Sequence, residues 1–97
     1  RLALYQPDIP QNTGTILRMA ACFGVGVDII LPTGFDSTDR SLRRAGLDYL
    51  DHVEIKRHDD WATFRGSLAA LAPPPRLVLL TTKADTAFQD FAFRHDD

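Results

Sequence analysis

The sequence predicts an α/β fold in which a parallel sheet is flanked by helices, in one domain over residues 1–97. Short apolar runs typical of strands alternate with segments whose apolar residues recur at helical spacing, and the connections between them are brief. With 97 residues, 44% of them hydrophobic, the chain can build one small core. In such sheets ligands bind beyond the carboxyl ends of the strands.

Two strands separated by a helix are predicted in the first third of the chain. Residues 2–5 and 27–31 are apolar runs that end near prolines, as strands that lead into rigid loops do. Asn12 or Thr13 is expected to cap the helix between them, and Gly24 is expected to end it. The apolar residues of this helix at helical spacing are Ile16, Met19, Ala20 and Phe23.

The middle of the chain predicts two helices and a short strand. A helix is expected over residues 38–45, ended by Gly46, followed by a strand over residues 52–56. Asp59 or Asp60 is expected to start the next helix. Its predicted core stripe is Trp61, Phe64, Leu68 and Leu71.

The last third contains the longest apolar run. Residues 77–81 follow three prolines and predict a third long strand, covered on both faces. Beyond Lys83 the pattern weakens, and the phenylalanines there fit a helix or a strand equally well: Phe88, Phe91 and Phe93.

Composition excludes several classes of protein. No apolar run approaches the roughly 20 residues that cross a bilayer, so no membrane segment is expected. Cys22 is the one cysteine and is expected in the core of the first helix; a reducing, cytoplasmic compartment follows. The histidines show no metal-ligand spacing, so no metal site is predicted. The net charge is −2, and although residues 40–58 are basic, charge alone favours a solvated helix face there.

The segment after the first strand is the first candidate for chemistry. Asn12 offers an amide, Gly14 permits close backbone approach, and Arg18 lies one helical turn beyond Gly14. The free N–H groups at a helix start attract anions, so an arginine one turn further on indicates a phosphate site. An ordinary capped helix with a surface arginine explains the same residues equally well.

Two further candidates are weaker when each is taken alone. Leu80, Thr81 and Thr82 end the predicted third strand, where backbone and hydroxyl groups can bind a purine or a ribose, or only satisfy each other. Arg43 and Arg44 can bind phosphates or simply face solvent. No glycine-rich dinucleotide or triphosphate loop is present, which disfavours a nucleotide-binding domain of the Rossmann type.

These segments, in this order, resemble the SPOUT superfamily of RNA methyltransferases. The matching stretches are YQPDIPQNTG at 5–14 with Arg18, LRRAGLDY at 42–49, and LTTK at 80–83. The resemblance covers essentially all 97 residues. It is greatest to the family that methylates the 2′-hydroxyl of the tRNA wobble nucleotide, a cytidine or modified uridine.

The resemblance implies an S-adenosylmethionine-dependent enzyme with a Rossmann-like α/β-knot fold, which acts on tRNA as a homodimer. It implies that Arg18 is catalytic and lies by the reacting ribose, where positioning suits a permanently protonated guanidinium better than general-base work. It also implies RNA-binding and cofactor-binding residues. These are Asn12, Gly14, Arg43 and Arg44 for RNA, and Leu80, Thr81 and Thr82 beside the cofactor's adenine.

The chain departs from the family pattern in one respect. Family members continue with a Phe-Gly-x-Glu loop and a Ser-x-Asn segment, which make the C-terminal trefoil knot and most of the cofactor pocket, and neither appears here. We therefore expect the N-terminal part of a longer α/β-knot enzyme, inactive by itself. A SPOUT methyltransferase for ribosomal RNA or another tRNA position, and a non-catalytic RNA-binding or dimerisation module, remain alternatives.

Overall fold

A three-stranded parallel sheet forms the centre of the molecule. The computed structural model describes residues 1–44 and 48–97. Strands β1 (Leu2–Tyr5), β2 (Val27–Ile30) and β3 (Ile55–His58) lie in the order β1-β2-β3. All four residues of β2 are buried because this strand is paired on both edges and covered on both faces. The predicted α/β class and the first two strands are confirmed.

Helices connect the strands. They are α1 (Pro10–Phe23), α2 (Asp39–Arg44) and α3 (Trp61–Ala69), with short 3-10 helices at Asp48–His52 and Phe88–Asp90. The predicted helix over 38–45 is therefore confirmed as far as the structure describes it, and its expected end at Gly46 lies outside the described residues.

Helices α1 and α3 lie on opposite faces of the sheet. Leu17 of α1 packs with Ile29 of β2 in the main core. Phe64 of α3 instead lies against His58, with 5.1 Å between ring centroids. His58 is hydrogen-bonded to Asp28, and Asp28 points away from Ile29 because successive side chains alternate across a strand. The sheet is thus covered on both faces over β2 and β3.

Helix α1 begins earlier than its sequence predicts. Ile9 occupies the N-cap position without a side-chain cap, and Pro10 is the first helical residue, so the predicted cap at Asn12 or Thr13 is wrong. Proline is favoured at this position because its fixed φ suits a helix and its missing N–H is not needed. The predicted end is confirmed, since Gly24 adopts a left-handed conformation with φ 66°.

The buried face of α1 also differs from the apolar spacing in the sequence. Met19 is 45% exposed and Phe23 is 75% exposed. Cys22 is exposed as well, so its predicted place in the core is wrong. Ala20 is buried as predicted, and the other buried residues of the helix are Thr13, Gly14 and Leu17.

Strand β3 and helix α3 confirm two predictions in part. The strand lies at Ile55–His58 and not over 52–56, because a 3-10 helix takes up the residues before it. Asp60 caps α3 as predicted, since its carboxylate accepts a hydrogen bond from the Thr63 N–H at 2.7 Å. Of the predicted core stripe, Phe64 is buried, whereas Trp61 and Leu71 are exposed.

The third long strand predicted over 77–81 is wrong. These residues form no strand, and Leu79 and Leu80 are 79% and 67% exposed. An apolar run becomes a strand only when a neighbouring strand pairs with its backbone, and no such pairing is present among the described residues. Beyond it, the only regular element is the 3-10 helix at Phe88–Asp90.

Candidate functional site

The loops that leave the carboxyl ends of β1 and β2 are tied together. The Gly34 N–H donates to the Pro7 carbonyl at 3.0 Å. A Cβ atom at Gly34 would collide with the Asp8 carboxylate and lie 3.0 Å from the Asp8 Cα. Only glycine allows this approach, so the two loops form one continuous edge next to the start of α1.

The motif residues lie on α1, which begins beside this edge. Asn12 and Arg18 are exposed, whereas Gly14 is buried against the body of the molecule. Because Gly14 and Arg18 are one turn apart, the close packing at Gly14 places the guanidinium one turn further along the helix. The three residues that the sequence singled out in this segment therefore lie on one helix, with Gly14 on its buried face and Asn12 and Arg18 on exposed positions.

Arg43 is exposed on α2 and forms an ion pair. Its guanidinium lies 2.5 Å from a carboxylate oxygen of Asp51, in the 3-10 helix that follows α2. Hydrogen bonding from Arg43 holds the pKa of Asp51 below its ordinary value. Of the predicted basic pair only Arg43 is described, since the side chain of Arg44 and residues 45–47 lie outside the described part of the chain.

The loop before α2 is held by a residue that the sequence analysis did not single out. Arg57 of β3 donates to the carbonyl oxygen of Ser37 from both Nε (3.1 Å) and Nη2 (2.6 Å). Ser37 is buried. The signal in the sequence was a basic residue in a strand at a position that faces the core, opposite Ile29 in the sheet register.

A buried carboxylate on the α3 side of the sheet was also missed. Asp28 is 5% exposed and accepts hydrogen bonds from Arg1 Nε and His58 Nε2, each at 2.8 Å. Burial raises the pKa of this carboxyl, but the hydrogen bonds from Arg1 and His58 outweigh burial and leave the pKa below its ordinary value. This cluster joins β2 and β3 to the residue that precedes β1, and an aspartate inside an apolar strand was its sequence signal.

The residues predicted to border a cofactor lie in another part of the structure. Leu80, Thr81 and Thr82 are exposed. Leu80 and Thr81 line an open cleft whose other walls come only from residues 76–93, including Asp85 and Phe88. This cleft does not include Arg18, so it does not join the two halves of the predicted site.

Neither a metal centre nor a membrane segment is found in the described part of the chain. No three histidine, cysteine, aspartate or glutamate side chains there are grouped so that they could hold a metal ion. The described helices are also too short or too polar to cross a bilayer.

Comparison with known proteins places these features in a family. The sequence pattern of the SpoU rRNA methylase family matches residues 1–96. Two relatives named tRNA (cytidine(34)-2′-O)-methyltransferase, from Beijerinckia indica and Ancylobacter novellus, are 55% and 47% identical over 96 residues. Each match includes 99% of this chain, which spans 59% and 60% of the two relatives' lengths.

Two solved structures are also similar to this chain, and both are described in terms of RNA methylation. A Bacillus anthracis protein described as an RNA methyltransferase is 44% identical with a TM-score of 0.66, over 70% of this chain and 43% of its own. A structure concerned with 2-OH methylation of C/U34 on tRNA is 48% identical with a TM-score of 0.62, over 69% of this chain and 44% of its own. The predicted resemblance is confirmed, and this chain belongs to the SpoU rRNA methylase family.

Proposed function

We propose that the full-length protein transfers a methyl group from S-adenosylmethionine to the ribose 2′-hydroxyl of nucleotide 34 in tRNA. One observation carries the proposal: relatives that are up to 55% identical across 99% of this chain are named for this reaction. Because the chain spans about 59% of their length, the activity is assigned to the full-length protein and not to these 97 residues alone.

Arg18 is the residue that we assign to the reacting ribose, as the catalytic group. Its exposure on α1 supports the assignment, since an RNA backbone can reach it. A guanidinium stays protonated and offers several N–H donors, so it can hold the neighbouring phosphate and stabilise the 2′-oxygen as the hydroxyl proton leaves to solvent. Asn12 and Gly14 would shape the same pocket, the first with its amide and the second by close packing.

Leu80, Thr81 and Thr82 are proposed to border the adenine of the cofactor. S-adenosylmethionine supplies an electrophilic methyl group. The cleft beside Leu80 fits the adenosine part in its chemistry, since it combines apolar walls with a threonine hydroxyl and the Asp85 carboxylate. These groups suit a flat base and a ribose. We assign the rest of the pocket to the part of the relatives' length that this chain does not span.

Arg43 and Arg44 are proposed to bind tRNA phosphates. Arg43 is exposed, and its present partner Asp51 is an exposed carboxylate as well. An exposed ion pair contributes little free energy, so Arg43 can exchange Asp51 for a phosphate at small cost. Phosphate contacts of this kind position an RNA without reading its sequence.

A homodimer is proposed for the full-length protein. The support is an apolar row on α1 that the core does not use, formed by Met19 and Phe23 one turn apart, at 45% and 75% exposure. A second copy of the same surface would cover these side chains. Analytical ultracentrifugation of the full-length protein tests this, and a monomer at micromolar concentration contradicts it.

Methyl transfer to purified RNA tests the proposed reaction. We expect the full-length protein to label a tRNA transcript with cytidine 34 and to label poorly a transcript that differs only by adenosine 34. Arg18→Lys should lower kcat by about 100-fold, because removing one preorganised donor at a reacting oxygen has an effect of this size. The KM for S-adenosylmethionine should stay within about twofold, since Arg18 acts on the RNA.

Other outcomes would select the alternatives. Ribosomal RNA is favoured by the description of the matching family, and labelling of ribosomal RNA but not tRNA would replace the proposal. A full-length protein that binds tRNA but shows no heat on titration with S-adenosylmethionine would be a non-catalytic module. Methyl transfer by the 97-residue chain alone would contradict our division of the cofactor pocket. We place the reaction in the cytoplasm, where tRNA is modified.

A further inference from the structure

The amino end of α2 is fixed by contacts outside the helix. The Ser41 N–H donates to the Thr38 hydroxyl at 3.3 Å, and the Thr38 N–H donates to the Asp36 carboxylate at 3.1 Å. These bonds are local and shape the turn. The link to the sheet is the fork of Arg57, which grips the buried Ser37 carbonyl one residue before Thr38.

Arg57 suits this role through its geometry more than through its charge. Two nitrogen atoms of one planar guanidinium converge on a single carbonyl oxygen, at 3.1 and 2.6 Å. A lysine carries one nitrogen atom on a flexible stem and cannot reproduce the fork. The arginine is partly buried and comes from β3, so it joins the loop before α2 to the rigid sheet.

We infer that Arg57 is a positioning residue for tRNA binding: by holding the Ser37 carbonyl it fixes α2, and with it the guanidinium of Arg43, relative to the sheet. The inference rests on the proposed function, because it assumes that Arg43 meets RNA. Arg57 itself makes no contact with RNA in this proposal, although it lies in the basic stretch of residues 40–58.

Lysine and glutamine variants of Arg57 and Arg43 distinguish a residue that positions the RNA-binding helix from one that contacts the RNA. Arg57→Lys, Arg57→Gln, Arg43→Lys and Arg43→Gln are compared in the full-length protein, by affinity for an anticodon stem–loop with cytidine 34 at several salt concentrations. Lys56→Gln is the matched control, since it removes a neighbouring charge on β3 whose ion pair is with Glu54 and which does not touch Ser37. Methyl transfer kinetics are measured for each variant.

The two arginines should respond differently. Both Arg57 variants should weaken binding by about tenfold, the size expected when one arginine contact is lost, because neither side chain can form the fork. Arg43→Lys should bind within about threefold of the wild type, whereas Arg43→Gln should weaken binding and reduce the salt slope by about 0.7 to 0.9. For Arg57→Lys the KM for tRNA should rise while the KM for S-adenosylmethionine stays unchanged and the unfolding midpoint falls only slightly, which a general loss of structure would not allow. Lys56→Gln should match the wild type.

Amide hydrogen exchange gives a readout without RNA. Arg57→Lys should speed exchange over residues 36–43 and leave α1 unchanged. Wild-type affinity for Arg57→Lys together with a loss for Arg57→Gln would show a direct phosphate contact and overturn the inference. Wild-type affinity for Arg43→Gln would also overturn it, while methyl transfer to tRNA would leave the proposed function standing. A full-length protein that transfers no methyl group to tRNA would remove both.

Discussion

Residues 1–69 and residues 70–97 have similar apolar runs but different structures. Every buried side chain in the described part of the chain lies in the first region, whereas Leu79 and Leu80 in the second are mostly exposed. The difference is in pairing: β2 has a parallel neighbour on each edge, and residues 77–81 have none among the described residues. Strand-forming composition therefore does not make a strand unless a partner satisfies its backbone.

The ion pairs of the two regions also differ in whether they involve the strands of the sheet. In the first region Arg1, which precedes β1, and His58 of β3 both donate to the buried carboxylate of Asp28 in β2. In the second, Arg76 donates two hydrogen bonds of 2.8 Å to Asp97 and lies over the ring of Phe91, so this ion pair joins residues of the second region only. Hydrogen bonding from Arg76 lowers the pKa of Asp97 to about 2. One set of contacts involves the strands of the sheet, and the other lies outside the sheet.

The largest expected effect comes from one substitution made in both regions. Leu17→Ala removes a side chain that is fully buried beneath the sheet and should reduce the free energy of unfolding by about 3 to 4 kcal/mol. Leu79→Ala should change it by less than about 0.5 kcal/mol, because this side chain is 79% exposed. Urea unfolding measures both. Equal losses would show that residues 77–81 are packed and would remove the contrast.

A smaller effect is expected at the buried carboxylate. Asp28→Asn should lower the free energy of unfolding by about 3 kcal/mol, since Arg1 and His58 lose a charged acceptor in a buried site. Because the folded pKa of Asp28 is lowered, its stabilisation is complete above the unfolded value of about 3.9 and is lost as the pH falls through the folded value.

The pH profile provides the control for that prediction. Below about pH 4 the wild type should lose stability more steeply than Asp28→Asn, which no longer has this carboxyl group to protonate. Parallel pH profiles for the two proteins would mean that the cluster contributes no linkage to the fold.

The smallest effect is expected at the other ion pair. Asp97→Asn should leave the urea midpoint unchanged but speed trypsin cleavage after Arg76 by roughly threefold, since this partly buried pair restrains a segment that is not part of the sheet. With a pKa of about 2 for Asp97, the pair is intact wherever trypsin is active. Cleavage after Lys83 is the internal control and should not change. A shifted urea midpoint would show that the second region contributes to the core.

Local signals in the sequence predicted most of the first region. The strands at 2–5 and 27–30, the glycine end of α1 and the Asp60 cap each depend on residues within one turn of each other. The buried face of α1 was not predictable in this way, because it is chosen by fit against the sheet. Pairing of residues 77–81 depends equally on distant partners.

The candidate site also contains residues that the sequence predicted and residues that it missed. Asn12, Gly14 and Arg18 lie on one helix, and that helix was predictable from local sequence. Arg57 and Asp28 were missed because their partners are distant in sequence: Ser37 is 20 residues from Arg57, and His58 is 30 residues from Asp28. A charged residue inside an apolar strand is a local signal that something must pair with it, but the local sequence does not identify the partner.

The most direct test of the proposed function removes the 2′-oxygen of cytidine 34, which is the proposed methyl acceptor. The full-length protein is given labelled S-adenosylmethionine and two anticodon stem–loops that are identical except for a 2′-deoxyribose at cytidine 34 in one of them. We predict label in the ribose form, at nucleotide 34, and none in the deoxy form. Equal labelling of the deoxy form would mean that the methyl group goes elsewhere and would contradict the account.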